Sequence, residues 1–234
     1  MNRRDILAMG GASALTISLP QPAHARTGIS MIKMVIVGNS SVGKSSMLIS
    51  FTTNQFPVGS AIAGFDTLSA NIMHDGHPTQ LELADTPGAE DYDRIRPLSY
   101  PGAAVVGIGF SVISRSSFEG VTEKWVPDIR QHLGQTPIIL IGMKADLRDD
   151  VTGPHSDPIS REECEALADQ IGASAYQENS ALTQVGLAQT FHTMISAARG
   201  ELDDTPGLPI RRRRRPGQSP LTPVRRPRSR RGGN

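Results

Sequence analysis

The chain has 234 residues, 38% hydrophobic and 20% charged, with a formal net charge of +1; this suits one α/β domain with tails and is long enough to bury a sizeable core. A single cysteine, Cys164, excludes an internal disulfide framework and a cysteine-based metal site. The near-neutral total conceals a split: residues 31–202 hold 11 Lys and Arg against 20 Asp and Glu, net −9, whereas residues 203–234 hold 10 Arg against 2 Asp, net +8.

Residues 1–30 do not read as part of the fold. Arg3-Arg4 precede an uncharged stretch over 6–19, and Ala23-His24-Ala25 has the small-x-small form of a cleavage site. The segment resembles a twin-arginine export signal, and its apolar run is too short and too rich in Gly, Ser and Thr to span a membrane. The other reading is that translation starts at Met31, so that 1–30 are a start-site artefact. Export follows from the first reading and a cytoplasmic protein from the second.

From Met31 to about Leu202, strand and helix patterns alternate, the signature of a mostly parallel sheet covered by helices on both faces. Residues 32–37 read as a short buried strand and 45–51 as the first turns of a helix. Residues 68–74 and 79–84 are strands joined through Asp75-Gly76, an antiparallel hairpin at one edge of the sheet. The apolar runs 103–112 and 137–141 are expected to be buried strands. Helices are expected near 117–133, 160–171 and 185–199, and Ser160-Arg161-Glu162-Glu163 has capping-box form. Cys164 shares an apolar helix face with Leu167, Ala168 and Ile171, which predicts a buried structural thiol.

Between the first strand and the first helix, Gly38-Asn39-Ser40-Ser41-Val42-Gly43-Lys44-Ser45 matches G-x-x-x-x-G-K-[ST] at every specified position. Such a loop turns successive backbone N–H groups toward one point, and the helix behind it adds the positive end of its dipole, so a polyphosphate is the natural guest. Lys44 would reach the β- and γ-phosphates. Ser45 would place its hydroxyl on a Mg²⁺ ion, which prefers hard oxygen ligands.

Later stretches converge on the same end of the sheet, where ligands of open α/β folds bind. Asp85-Thr86-Pro87-Gly88 follows a strand; Asp85 can hold Mg²⁺ through water while the N–H of Gly88 faces the γ-phosphate. Lys144-Ala145-Asp146 follows another. A carboxylate accepts two N–H bonds from the edge of guanine, and the stem of Lys144 can lie over the base. Ser180-Ala181-Leu182 can close the base pocket with backbone N–H groups.

On these residues, and on Glu90-Asp91-Tyr92-Asp93-Arg94-Ile95-Arg96-Pro97-Leu98-Ser99-Tyr100-Pro101, Lys124-Trp125-Val126-Pro127 and Asp146-Leu147-Arg148-Asp149-Asp150, the stretch 31–202 resembles a Ras-superfamily small GTPase of the Rho/Rac family. The resemblance implies a P-loop NTPase G domain with a six-stranded, mostly parallel sheet. It implies a monomer that binds GTP or GDP with Mg²⁺ and meets effectors or regulators through the second switch, Glu90 to Pro101. Matched positions carry over as nucleotide contacts at Ser41, Val42, Gly43, Lys44, Ser45, Ser46, Phe56, Gly88, Lys144, Asp146, Leu147, Ser180, Ala181 and Leu182. The metal contacts are Ser45 and, through water, Asp85.

The departures from that family bear on catalysis. Ala63 stands where the first-switch Thr would ligate Mg²⁺, and Ala89 where a Gln would orient the attacking water. Pro87 stiffens the same loop, Ser40 replaces a loop glycine, Ser60 a first-switch Tyr, and Met143 an Asn or Thr before Lys144. The helical insertion is cut to 151–157. Nucleotide binding is therefore expected with slow hydrolysis. The alternative is a non-catalytic interaction module that engages partners through its second switch.

The segment 203–234 carries Arg211 to Arg215, a second cluster at Arg225, Arg226, Arg228, Arg230 and Arg231, and six prolines; its composition predicts disorder. It ends Arg231-Gly232-Gly233-Asn234 without a lipidatable cysteine, so no prenyl anchor is expected. The arginines suit an anionic membrane or nonspecific nucleic-acid contact, without interleaved aromatics for base stacking. None of the histidines forms a recognisable metal motif: His74 and His77 flank the hairpin turn and are expected to be solvated, with no third ligand evident.

Overall fold

The computed structural model describes residues 30–58, 66–148 and 158–202. In chain order these form β1 (Ser30–Val37), α1 (Lys44–Thr53), β2 (Thr67–His74), β3 (His77–Asp85), β4 (Val105–Ser111), α2 (Arg115–Gly120), α3 (Val126–Leu133), β5 (Ile138–Met143), α4 (Arg161–Ile171), β6 (Ala175–Asn179) and α5 (Leu187–Arg199). The sheet order is β2-β3-β1-β4-β5-β6, with β2 antiparallel to β3 and every other pair parallel. This is the expected α/β P-loop architecture. The export-like segment, Ser60, Ala63, the shortened insertion at 151–157 and the arginine tail lie outside the described residues.

The central strands β4 and β5 are buried along their whole length and β1 along most of its own, so their sequences are largely apolar, and their side chains divide between two cores with period two. Val35 and Val37 of β1 face one core with Val106, Ile108 and Phe110 of β4, Leu140 of β5, Trp125, Ile129 and Cys164. Met34 and Ile36 face the other with Ile139, Ile141, Met47 and Leu48 of α1, and Phe191, Met194 and Ile195 of α5. Burying one such aliphatic side chain contributes about 2 kcal/mol, so the strands that carry the site loops are its most rigid supports.

The expected helix at 117–133 is three segments. A wider π turn, Val121–Trp125, joins α2 to α3, and Pro127 sits in the first turn of α3, where its missing N–H is tolerated. The capping box at α4 forms as read: Ser160 accepts from the Glu163 N–H while Glu163 accepts from the Ser160 N–H. β3 extends beyond 79–84 at both ends, and β5 runs two residues past 141. β6, Ala-Tyr-Gln-Glu-Asn, has no apolar run because it lies at the sheet edge and is only half buried, which is why strand-scale hydrophobicity misses it.

His74 departs from expectation. It is only 3% exposed rather than solvated, because β2 brings it beneath α5, where its Nδ1 lies 2.8 Å from Nδ1 of His192.

Candidate nucleotide-binding site

The loop between β1 and α1 depends on backbone conformations that its glycines supply. Gly38 has φ +146°, and a Cβ there would lie 2.1 Å from the carbonyl oxygen of Gly109 on β4, so any side chain would push the loop off the sheet. Ser41 holds a left-handed φ of 62° without being glycine, a strained conformation of the kind that turns successive N–H groups inward. The Lys44 ammonium folds back over this cradle and donates to the carbonyls of Gly38 and Asn39, each at 2.8 Å. Burial pushes Lys44 down to about 8, although the Asp85 carboxylate beside it favours the proton.

Asp85 is the last residue of β3, and its register opposite Ile36 delivers its carboxylate to the start of α1. Ser45 Oγ donates to Asp85 Oδ2 across 2.5 Å. Among the described residues no hydrogen-bond partner reaches the buried Asp85 Oδ1, and burial raises the carboxyl above its usual range despite Ser45 and Lys44. An orphaned anionic oxygen next to a serine hydroxyl is a hard-oxygen donor set, and it fits Mg²⁺. Ser45 and Asp85 would hold that ion, directly or through water.

The loop after Asp85 presses on the phosphate cradle. Thr86 Oγ1 donates to Ile36 O at 2.7 Å, and a Cβ on Gly88 would fall 2.4 Å from the Ser40 nitrogen. Only glycine permits that approach. On the other flank, Gly43 faces Met143 and the Lys144 stem, the nearest atoms lying 3.8 to 3.9 Å from where its Cβ would be. Lys144 is itself left-handed, with φ 60°, and opens the short helical turn Ala145–Leu147 that carries Asp146. Met143 pairs in register with Asn179, so the turn at Ser180 stands beside Lys144 and Asp146. The Ser180 N–H donates to Val185 O, and its hydroxyl accepts from the Thr183 N–H at 3.0 Å. Ser180 thus shapes the turn, and it stands with Ala181 and Leu182 as a candidate base contact. Phe56 stands beyond α1, 41% exposed. Val42 and Gly43 lead into α1, and Ser46 lies in its first turn.

Sequence reasoning missed a network behind the second switch. Arg96 is almost wholly buried, and its Nε donates to Pro87 O at 2.8 Å. Its Nη2 donates to Ala89 O at 2.9 Å and to Asp93 Oδ1 at 2.6 Å. The guanidinium lies 4.7 Å from the Trp125 ring centre, and Trp125 Nε1 donates to Asn39 Oδ1 of the phosphate loop at 2.6 Å. Burial would push Asp93 up, but hydrogen bonds from Lys124 and Arg96 outweigh it and hold the carboxyl below its usual range. Nothing local marks Arg96 as buried, since arginine is ordinarily exposed; Asn39 occupies a position that the loop motif leaves free.

Fold and loops together define a phosphate-loop nucleotide-binding protein of the G-domain class. A model of the Ras family matches residues 33–200. The Rho-related GTP-binding protein RhoV of mouse is 44% identical over 174 residues, covering 71% of this chain and 74% of that protein, and human RhoV gives the same figures. Bovine RhoV is 40% identical over 200 residues, covering 82% and 85%. The chain belongs to the Ras family and is a Rho-like small GTPase.

Proposed function

We propose that this domain binds guanine nucleotide together with Mg²⁺ and hydrolyses GTP slowly. The observation that carries the reading is the buried corner where Ser45 Oγ meets Asp85 Oδ2 beside Lys44, with Asp85 Oδ1 unpartnered among the described residues. Lys44 would hold the β- and γ-phosphates, and the N–H groups from Ser41 to Ser46 would cradle them. Asp146 would accept from the guanine edge, with Lys144, Leu147, Ala181 and Leu182 around the base. Mg²⁺ at Ser45 and Asp85 would neutralise charge developing on the phosphates.

The slow rate follows from Ala89 and Ala63. Ala89 brings only a methyl group to the position from which a side-chain amide would hold water in line. Arg96 clamps the carbonyls on either side of Gly88, so the loop is not free to supply another group. Ala63 cannot add a hydroxyl to the metal shell. Positioning and charge stabilisation are nearly the whole of catalysis in phosphoryl transfer, so the loss at Ala89 falls on turnover, while the missing hydroxyl at Ala63 also weakens the metal shell.

A second reading, a non-catalytic interaction module, draws support from the second switch itself. Tyr92, Ile95 and Leu98 are exposed, Leu98 at 78%, while Arg96 beside them is buried and anchored. Such a pre-shaped apolar row suits a protein partner. The discriminating experiment is chromatography of nucleotide released by denaturing freshly purified protein. Mostly GTP supports a slow GTPase; a full complement of GDP means that turnover is intact; no guanine nucleotide leaves the interaction module.

A further inference from the structure

At the end of β3 remote from Asp85, the tip of the β2–β3 hairpin packs against the last turns of α5. We propose that His74, Asp75 and Glu201 there form a binding site for a borderline divalent metal ion of the Zn²⁺ class. Asp85 and the hairpin tip stand at opposite ends of β3, about 25 Å apart at the usual rise per residue, so this site is separate from the Mg²⁺ corner.

One ligand atom from each of the three residues lies within 4.8 Å of the others, close enough for one ion to bridge them. His74 Nε2 is 3.4 Å from Asp75 Oδ2 and 3.3 Å from the buried Ser196 hydroxyl. The other ring nitrogen sets the tautomer. His74 Nδ1 and His192 Nδ1 are 2.8 Å apart, so with both rings neutral one must donate to the other. When His74 donates, its Nε2 carries a lone pair directed at the carboxylates. Metal-binding histidines are characteristically oriented in this way, by a hydrogen bond from the second nitrogen.

The surrounding charge favours a cation. Asp75 and Glu201 both supply negative potential at His74, and the C-terminal turn of α5 adds the negative end of a 13-residue helix. Arg199 opposes it, with its guanidinium donating to Thr79 Oγ1 at 2.6 Å. One imidazole with two carboxylates selects a borderline ion: Mg²⁺ and Ca²⁺ prefer all-oxygen shells, and Cu⁺ prefers sulfur. Bound metal would clip the hairpin to the end of α5.

The test uses the full chain with Mg²⁺ at millimolar concentration to keep the nucleotide corner filled. Zn²⁺ is titrated calorimetrically, and Co²⁺ serves as an absorption probe for nitrogen ligation. One saturable Zn²⁺ site is expected, with Co²⁺ bands that Zn²⁺ displaces. His74 is buried and its replacement risks misfolding, so the informative variant is Asp75→Asn with Glu201→Gln, both at exposed positions. It should keep its circular dichroism spectrum and lose at least about tenfold in Zn²⁺ affinity, and His192→Phe should lose about tenfold through the lost orienting bond. Absence of a saturable site, or Zn²⁺ affinity unchanged in the double variant, overturns the proposal; weak binding by the other histidines would persist in that variant and is thereby separated.

Discussion

Arg96 Nε donates to the carbonyl oxygen of Pro87 across 2.8 Å, and that bond ties the second switch to a buried cation. Through Trp125 the same cation is coupled to Asn39, so the phosphate loop and the second switch share one support. Arg96→Ala leaves the buried carbonyl of Pro87 and the partly buried carbonyl of Ala89 without their donor, and a void over the indole. It should destabilise the domain by about 3 kcal/mol in urea denaturation. Hydrogen exchange over 87–96 should rise well beyond that of β4, and equal protection in the variant would show that the switch is held by something else.

The depressed Lys44 makes nucleotide binding pH-dependent. Its folded value of about 8 lies below the usual 10.5, so the burial penalty on the ammonium is fully present below pH 8 and is relieved between 8 and 10.5. A phosphate needs the ammonium, so binding above pH 8 must take up a proton. Affinity should fall with rising pH there, by up to about tenfold per unit. Calorimetry in buffers of different ionisation enthalpy measures the uptake directly. Lys44→Ala should abolish it and sharply reduce retained nucleotide.

Asp85 is raised by burial, so its charge opposes folding at neutral pH and the penalty is relieved as pH falls through the raised value. Asp85→Asn keeps an acceptor for Ser45 and removes the charge. The nucleotide-free variant should melt at a higher temperature than the unmodified protein, while Mg²⁺ should no longer slow nucleotide release, a loss of at least about tenfold. Unchanged Mg²⁺ dependence would place the ion elsewhere.

Asp146→Asn exchanges a charged acceptor for an amide. The preference for GTP over xanthosine triphosphate should drop by about ten- to a hundredfold in a competition assay, the worth of a charge-assisted pair. A preference that survives intact would remove Asp146 from the base site.

Single-turnover hydrolysis should be slower than an ordinary intrinsic rate of about 10⁻⁴ s⁻¹. Ala89→Gln alone should recover little. Ser40→Gly, Ala63→Thr and Ala89→Gln together should recover more than any one of them, because residues that act as a unit are not additive. Turnover at or above the ordinary rate in the unmodified protein would reject the reading.

Local chemistry alone determined the phosphate loop, the Asp85 and Asp146 loops, the buried strands and the capping box at Ser160. Each depends on residues close together in the chain, where spacing and side-chain type dictate backbone geometry. Ala89 reads as a missing amide only through the resemblance to the small-GTPase family, which places a Gln at that position. β6 was not legible, because an edge strand needs no apolar run and is defined by its register with β5. Nothing local marks Arg96 as buried, and His74 reads as solvated. Only tertiary structure buried them, since the groups that cover them lie far away in sequence: Trp125 for Arg96, and His192 and Ser196 on the last helix for His74. Burial and charge pairing arise from packing between distant segments, and those decided which polar side chains became the latch on the second switch and which gathered at the hairpin tip.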